Sequence, residues 1–134
     1  MQLQRYLTRI YNSIHSRREI RVEHLHIDEP VPSDEGSIEG RLRFWDDSLL
    51  EFYEILHRHK VLLVKVRYSY HYQDQHGQLI FRYDNAPHHP KIATFPHHKH
   101  VANPSNQTET IEPAIPPHIN DVLHEIDRRL YPPN

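Results

Sequence analysis

The sequence predicts an α+β fold: an antiparallel β-meander of four to five strands flanked by an N-terminal and a C-terminal helix. Apolar residues recur at helical spacing at both ends of the 134-residue chain. Between them, residues 20–83 form alternating or apolar runs separated by turn-forming residues. Consecutive strands joined by short turns pair in antiparallel fashion. The length is typical of one domain, so residues 1–134 are expected to form a single α+β domain.

The first helix is predicted over residues 3–15. Its apolar stripe consists of Leu3, Tyr6, Leu7, Ile10, Tyr11 and Ile14. A strand over residues 20–27 follows, and then an acidic, proline-rich connection over residues 28–36. Further strands are predicted over residues 38–44, 49–56, 61–73 and 78–83. Polar turns are expected at residues 46–48 and 57–60, and His76-Gly77 is expected to close a hairpin.

This hairpin decides which side chains share a face of the sheet. A two-residue loop pairs His71 with Arg82, and a four-residue loop pairs His71 with Ile80. In both cases even-numbered residues of the first strand lie beside odd-numbered residues of the second. The core face is therefore expected to carry Leu62, Val64, Val66, Tyr68, Tyr70, Tyr72, Leu79, Phe81 and Tyr83. The opposite face is expected to carry Lys65, Arg67, Ser69, His71, Gln73, Arg82 and Asp84. A β-bulge would break this alternation.

Residues 86–117 are rich in proline, histidine, asparagine and threonine, and they show no periodicity. A loop this long in a compact domain is often functional, so a histidine-rich functional loop is expected over about residues 84–116. Pro117 is suited to the first position of a helix. The second helix is predicted from there, with an apolar stripe of Ile119, Val122, Leu123, Ile126 and Leu130.

Composition excludes several functional classes. The chain has no cysteine, which rules out disulfides, thiolate metal sites and a cysteine nucleophile. With three glycines, it shows neither a phosphate-binding glycine-rich loop nor a Gly-x-Ser-x-Gly elbow. No signal peptide and no membrane-spanning run is expected, which predicts a cytoplasmic protein. The net charge is −2 with neutral histidines, and 14 histidines make it strongly dependent on pH near their ordinary pKa of about 6.5.

The hairpin face and the histidine-rich segment together carry the groups that RNA cleavage without a metal requires. Histidine serves as acid or base near neutral pH, and arginine and lysine stabilise phosphate charge. The candidate catalytic residues are His71, Asp84, His88, His89, His97 and His98. The candidate substrate-binding residues are Arg67, Arg82, Asn85, Lys99 and His100. RNA is the expected partner of this site, and no cofactor is expected.

Two alternatives stay open from the residues alone. One is a metal-dependent hydrolase in which His98, His100 and Asp84 bind a divalent transition metal such as Zn²⁺, Ni²⁺ or Mn²⁺. The spacing matches no helical metal motif, although His98 and His100 would share a face of a strand. The other alternative is a non-catalytic module that binds a partner, with the histidine loop as a structural clasp.

The run Arg82-Tyr83-Asp84-Asn85-Ala86-Pro87-His88-His89-Pro90, followed by Phe95-Pro96-His97-His98-Lys99-His100, resembles the TumE-like toxin family of prokaryotic toxin–antitoxin systems. The resemblance extends upstream through residues 66–73 and downstream to the last helix. It implies a toxin role and a cognate antitoxin, and no catalytic residue is transferred from it. The ribonuclease prediction comes from the side chains and from the general habits of such toxins. An exposed edge strand would also allow a homodimer.

Overall fold

The computed structural model describes residues 2–30 and 33–133. Its elements are α1 (Gln2–His15), β1 (Arg21–Asp28), β2 (Glu35–Arg43), β3 (Leu49–His59), β4 (Leu62–Gln73), β5 (Leu79–Asp84), β6 (His98–Asn103), β7 (Thr108–Pro113) and α2 (Ile119–Leu130). The strands form one antiparallel sheet in chain order. The predicted α+β class with two flanking helices is confirmed. The predicted number of strands is wrong, because the sheet within these residues has seven strands rather than four to five.

The two additional strands, β6 and β7, lie inside the segment that was predicted to be a loop. Strand β7 is at the edge of the sheet, and Ile111 is its only partly buried residue. Strand β6 is only partly buried apart from His98, and it carries histidines on one face. Neither strand therefore shows the apolar alternation that reveals a half-buried strand. The irregular part of the segment is limited mainly to residues 85–97 and to the β6–β7 turn.

Both helices pack on the same face of the sheet, and this face is the core. The buried residues of the helices are Leu3, Leu7, Ile10 and Ile14 from α1 and Ile119, Val122, Leu123 and Ile126 from α2. They lie over a row of fully buried tyrosines on β4, Tyr68, Tyr70 and Tyr72. A hydrogen bond from Ser13 Oγ to Asn120 Oδ1 (3.0 Å) joins the two helices. The opposite side of the sheet, called the outer face below, is covered by neither helix.

Helix α2 begins two residues later than predicted. His118 has an extended backbone and acts as the N-cap, with its side chain accepting from the Asn120 N–H. Asp121 accepts from the His118 N–H in return, which completes a capping box. Pro117 therefore precedes the cap and is not the first helical residue. No helix among the described residues is both long enough and apolar enough to span a membrane.

A β-bulge in β4 reverses part of the predicted alternation. Strand β3 pairs Ile55 with Arg67 but Leu56 with Lys65, so Val66 is the extra residue. Lys65 therefore lies on the core face, where its Nζ donates to Tyr70 Oη (2.6 Å) and to the Pro117 carbonyl (2.7 Å). The prediction for Lys65 is wrong for this reason. The same shift leaves the side chains of Leu62, Val64 and Val66 exposed instead of buried.

A second irregularity lies between β4 and β5. Gln73 pairs with Leu79, and Tyr72 pairs with Phe81, so Ile80 is the extra residue. Ile80 packs against the core, and Leu79 lies opposite Gln73 instead of on the core face. The β3–β4 turn is also shorter than predicted, since β3 continues to His59 and only Lys60 and Val61 separate the strands. In the predicted 28–36 connection, residues 31 and 32 lie outside the described residues, and β2 already begins at Glu35.

Candidate functional site

A group of histidines gathers on the outer face where β5 pairs with β6. Strand alternation places Arg82 and Asp84 of β5 on this face, and the register pairs them with His100 and His98 of β6. The loop after β5 then returns His89 over the sheet. Its ring centroid is 4.8 Å from that of His98 and 5.6 Å from that of His100. Asp84, His89, His98 and His100 are called the histidine cluster below.

Asp84 is the buried centre of this cluster. Its Oδ1 accepts from the Ala86 N–H (2.9 Å) and lies 3.1 Å from His98 Nε2. Its Oδ2 accepts from Arg82 Nε (2.9 Å) and lies 3.5 Å from His100 Nε2. One carboxylate thus holds an arginine, two imidazoles and the start of the following loop in fixed positions.

Each histidine of β6 has its second ring nitrogen bound as well. His98 Nδ1 lies 2.8 Å from the Pro96 carbonyl oxygen, and His100 Nδ1 lies 2.8 Å from Glu109 Oε1. A carbonyl and a carboxylate only accept hydrogen bonds, so both Nδ1 atoms donate. The two Nε2 atoms then face each other at 3.2 Å, beside the Asp84 carboxylate.

A straight row of three side chains crosses the outer face next to the cluster. The register pairs His71 of β4 with Arg82 of β5, and Arg82 with His100 of β6. Neighbouring strands are about 4.8 Å apart, so the backbones of the two histidines are roughly 10 Å apart with the backbone of Arg82 between them. The Arg82 side chain is 39% exposed, and within residues 2–30 and 33–133 no hydrogen bond uses its two η nitrogens.

His71 has an environment suited to a neutral imidazole. Burial, followed by the positive charge of Arg82, lowers the pKa of His71 below its ordinary value, against the opposing effect of Glu51. Its buried Nδ1 has no hydrogen-bond partner among the described residues. A groove of about 500 Å³ adjoins this end of the row and is lined in part by Arg41, Glu51, Tyr53 and Ser69. The row thus opens onto a polar surface that can receive a ligand larger than a phosphate.

Comparison with known protein families agrees with the motif that runs through β5, the histidine loop and β6. A family model described as Toxin TumE matches residues 10–130. The chain belongs to the TumE toxin family. Searches of curated proteins and of solved structures find no significant match. Membership of a toxin family implies the toxin half of a toxin–antitoxin pair, and hence a cognate antitoxin as partner.

In this TumE family member, strand alternation divides the predicted site residues between the two faces of the sheet. His71, Arg82, Asp84, His98 and His100 lie together on the outer face, and His89 joins them from the loop. Arg67 is exposed on the same face but lies beyond Asp84, opposite Ile55. His88 is also exposed, and no side-chain hydrogen bond involves it among the described residues. These placements separate a compact group from two peripheral residues.

The remaining three predicted residues point elsewhere. His97 lies on the helix side, where its ring stacks on Tyr68 and its Nδ1 is 3.0 Å from Tyr68 Oη. Burial is the first cause that lowers the pKa of His97, followed by the charges of His98 and Lys65. Lys99 donates to Glu125 of α2 (2.7 Å). Asn85 is buried and bridges the β4 bulge, accepting from the Tyr68 N–H (3.1 Å) and donating to the Val66 carbonyl (3.1 Å).

Glu109 belongs to the site but was absent from the sequence prediction. It lies on β7, and its carboxylate accepts a hydrogen bond from His100. Sequence reasoning missed it because β7 shows no apolar alternation. The β-branched residues Thr108, Thr110 and Ile111 around it are the signal that would have indicated a strand. With β7 recognised, antiparallel pairing to β6 would have placed a carboxylate beside the histidines.

Proposed function

We propose that this TumE family toxin cleaves RNA on the outer face of its sheet, with the row His71–Arg82–His100 as the reaction centre. The observation that carries the proposal is the order of the row: Arg82, whose η nitrogens are unused donors, lies between two histidines on adjacent strands. Transfer within an RNA phosphodiester needs a base on one side of the phosphorus and an acid on the other, with a cation at the phosphate oxygens. A phosphate bound by the Arg82 η nitrogens would have this cation at its oxygens, His71 as the base on one side and His100 as the acid on the other.

The reaction that follows from this arrangement has four proton and bond changes. The neutral His71 ring removes the proton from the ribose 2′-hydroxyl, and that oxygen attacks the phosphorus. The bond from phosphorus to the 5′-oxygen breaks, and protonated His100 gives that oxygen a proton from Nε2. The products are a 2′,3′-cyclic phosphate and a free 5′-hydroxyl. Asp84 fixes the orientation of Arg82 and His100 and takes no part in the proton transfer.

The surroundings of the row favour an unpaired RNA strand as the substrate. The groove beside His71 contains Tyr53, Ser69 and charged side chains that can contact a base and a ribose. Exposed Arg67 lies on the same face and can contact a neighbouring phosphate. Sequence-specific proteins mostly recognise RNA through unstacked bases, and a groove on an open sheet admits these more readily than a rigid duplex.

A cleavage assay on end-labelled RNA tests the proposal. The purified toxin is assayed in EDTA at neutral pH as wild type and as His71→Ala, Arg82→Ala and His88→Ala variants, with folding checked by circular dichroism. Loss of the Arg82 cation is expected to slow cleavage by about 10²–10³-fold, and loss of the His71 base by about 10²–10⁴-fold. The exposed His88 is the matched control and should retain wild-type activity. Folded His71 and Arg82 variants that cleave as fast as wild type would refute the proposed centre.

A further inference from the structure

We infer that the histidine cluster is a binding site for a zinc-like divalent transition metal ion, and that the bound ion inhibits RNA cleavage. The ligands are His98 Nε2, His100 Nε2 and a ring nitrogen of His89, with the Asp84 carboxylate completing the site. The ring nitrogens of the three histidines lie within 4.8 Å of one another. The inhibitory part rests on the proposed function, whereas metal binding stands on the geometry of the cluster alone.

The hydrogen bonds around the cluster leave its centre in need of a cation. Both Nδ1 atoms of His98 and His100 donate outward, to a backbone carbonyl and to a carboxylate. In neutral rings the two Nε2 atoms therefore carry lone pairs, and these face each other at 3.2 Å. The Asp84 carboxylate, which is also an acceptor, lies against both. A group of acceptors this close is stable only with a proton or a metal ion between them.

The separations among His98, His100 and Asp84 are close to those around a tetrahedral ion. Two ligands about 2.0–2.1 Å from zinc and separated by the tetrahedral angle lie roughly 3.3 Å apart. The separations are 3.2 Å between the Nε2 atoms, 3.1 Å from His98 Nε2 to Asp84 Oδ1, and 3.5 Å from His100 Nε2 to the other carboxylate oxygen, Oδ2. A ring nitrogen of His89 lies within 4.8 Å of a ring nitrogen of each of the other two histidines. His89 lies over the same point from the loop after β5, and its ring supplies the third imidazole.

The second layer of contacts has the form found around metal-binding histidines. Such residues almost always donate their other ring N–H to a carbonyl or carboxylate, which fixes the ring and strengthens the ligand. Pro96 and Glu109 provide these acceptors here, and Arg82 and Ala86 orient the Asp84 carboxylate. A set of three imidazoles and one carboxylate suits Zn²⁺, Cu²⁺ or Ni²⁺, and it disfavours Mg²⁺ and Ca²⁺, which take oxygen ligands.

Metal binding and the proposed cleavage reaction compete for one atom. In the reaction, His100 Nε2 carries the proton that is donated. A metal ion bound to Nε2 occupies the same electron pair, so the atom cannot carry that proton. Zinc bound in the cluster therefore removes the acid from the row while leaving His71 and Arg82 in place. The toxin would then be active in its metal-free form and inactive when loaded with zinc.

Direct metal binding is the first arm of the test. Tag-free protein is stripped with EDTA and dialysed, and Zn²⁺ is titrated in competition with a chromophoric chelator. Wild type and His88→Ala are expected to bind one Zn²⁺ with equal affinity, while Mg²⁺ does not compete. His89→Ala is expected to bind at least about tenfold more weakly, in line with the effect of losing a ligand or its support. Equal affinity in wild type and His89→Ala, or no binding at all, would overturn the site.

Cleavage of labelled RNA during the same titration is the second arm. Each variant is compared with its own metal-free rate. We expect Zn²⁺ to inhibit wild type with the midpoint found in the chelator titration. In His89→Ala that midpoint should shift to a higher Zn²⁺ concentration. Activation by Zn²⁺ would overturn the inhibitory role and make the metal a cofactor. If RNA is cleaved in neither metal state, the proposed function fails, and the binding arm still decides whether the metal site exists.

Discussion

Asn85 belongs to the family-like motif, yet the structure gives it a backbone-supporting role that a stability experiment can isolate. Its amide oxygen accepts from the N–H of Tyr68, a residue that is 1% exposed, and its amide nitrogen donates to the Val66 carbonyl. These two bonds clamp the bulge that turns Lys65 towards the core. Replacement by alanine leaves the buried Tyr68 N–H without its acceptor and removes a second bond at a partly exposed carbonyl.

The expected loss can be estimated from these two bonds. A buried donor left unpaired costs about 1–3 kcal/mol, and a lost hydrogen bond that water can replace costs about 0.5–1 kcal/mol. Asn85→Ala should therefore lower the free energy of unfolding by about 1.5–4 kcal/mol. With a urea m-value of about 2 kcal/mol per molar for a chain of this size, the midpoint should fall by about 0.8–2 M.

Urea unfolding followed by circular dichroism, in EDTA, measures this shift. Asn106→Ala is the matched control, because Asn106 makes the same kind of bond to the Thr108 N–H in an exposed turn. There water replaces the lost acceptor, so the change should stay within about 1 kcal/mol. An equally small loss of stability in the two variants would refute the role of Asn85 in holding the bulge. A loss of RNA cleavage with unchanged stability in Asn85→Ala would instead assign Asn85 to substrate binding.

Two further predictions concern pH dependence and packing. His71 is faced by Arg82 from β5, by Glu51 from β3 and by Glu109 from β7. Because burial and Arg82 lower the pKa of His71, the acidic limb of kcat/KM for RNA should have its midpoint below about pH 6.5, the ordinary value for histidine. An acidic limb with its midpoint above 6.5 would exclude His71 as the base. In the sheet, a Cβ at Gly40 would collide with the Phe52 ring. Gly40→Ala should therefore lower the free energy of unfolding by about 1–3 kcal/mol, measured by thermal or urea unfolding. Unchanged stability would show that the ring can move aside.

Local patterns were sufficient for most of the secondary structure. Helices α1 and α2 and strands β1 to β5 appear in the sequence as periodic apolar positions, because each buries one face against the same core. Apolar periodicity did not predict strands β6 and β7, because their stability comes from backbone pairing at the edge of the sheet rather than from burial of an apolar face. Pairing of this kind leaves little trace in a hydrophobicity pattern.

The position of Lys65 shows where alternation fails. Counting residues from the hairpin placed it on the outer face, and the count is correct from Gln73 back to Arg67. The bulge at Val66 reverses it, and the side chain that holds the bulge, Asn85, lies 19 residues further along the chain. No pattern within β4 itself contains that information.

The sequence by itself determined that Arg82 and Asp84 share a face with His71, since alternation along two strands joined by a hairpin is a local property. It also supplied the histidines from which a site could be built. Only the tertiary structure decided which of them belong together. The pairing of β6 with β5 brought His98 and His100 into the site and turned His97 and Lys99 towards the helices. The path of the loop placed His89, rather than His88, beside them. The reason is physical, because the direction of a side chain within a strand follows from the pleat, whereas register between strands and the path of a loop depend on contacts between distant parts of the chain.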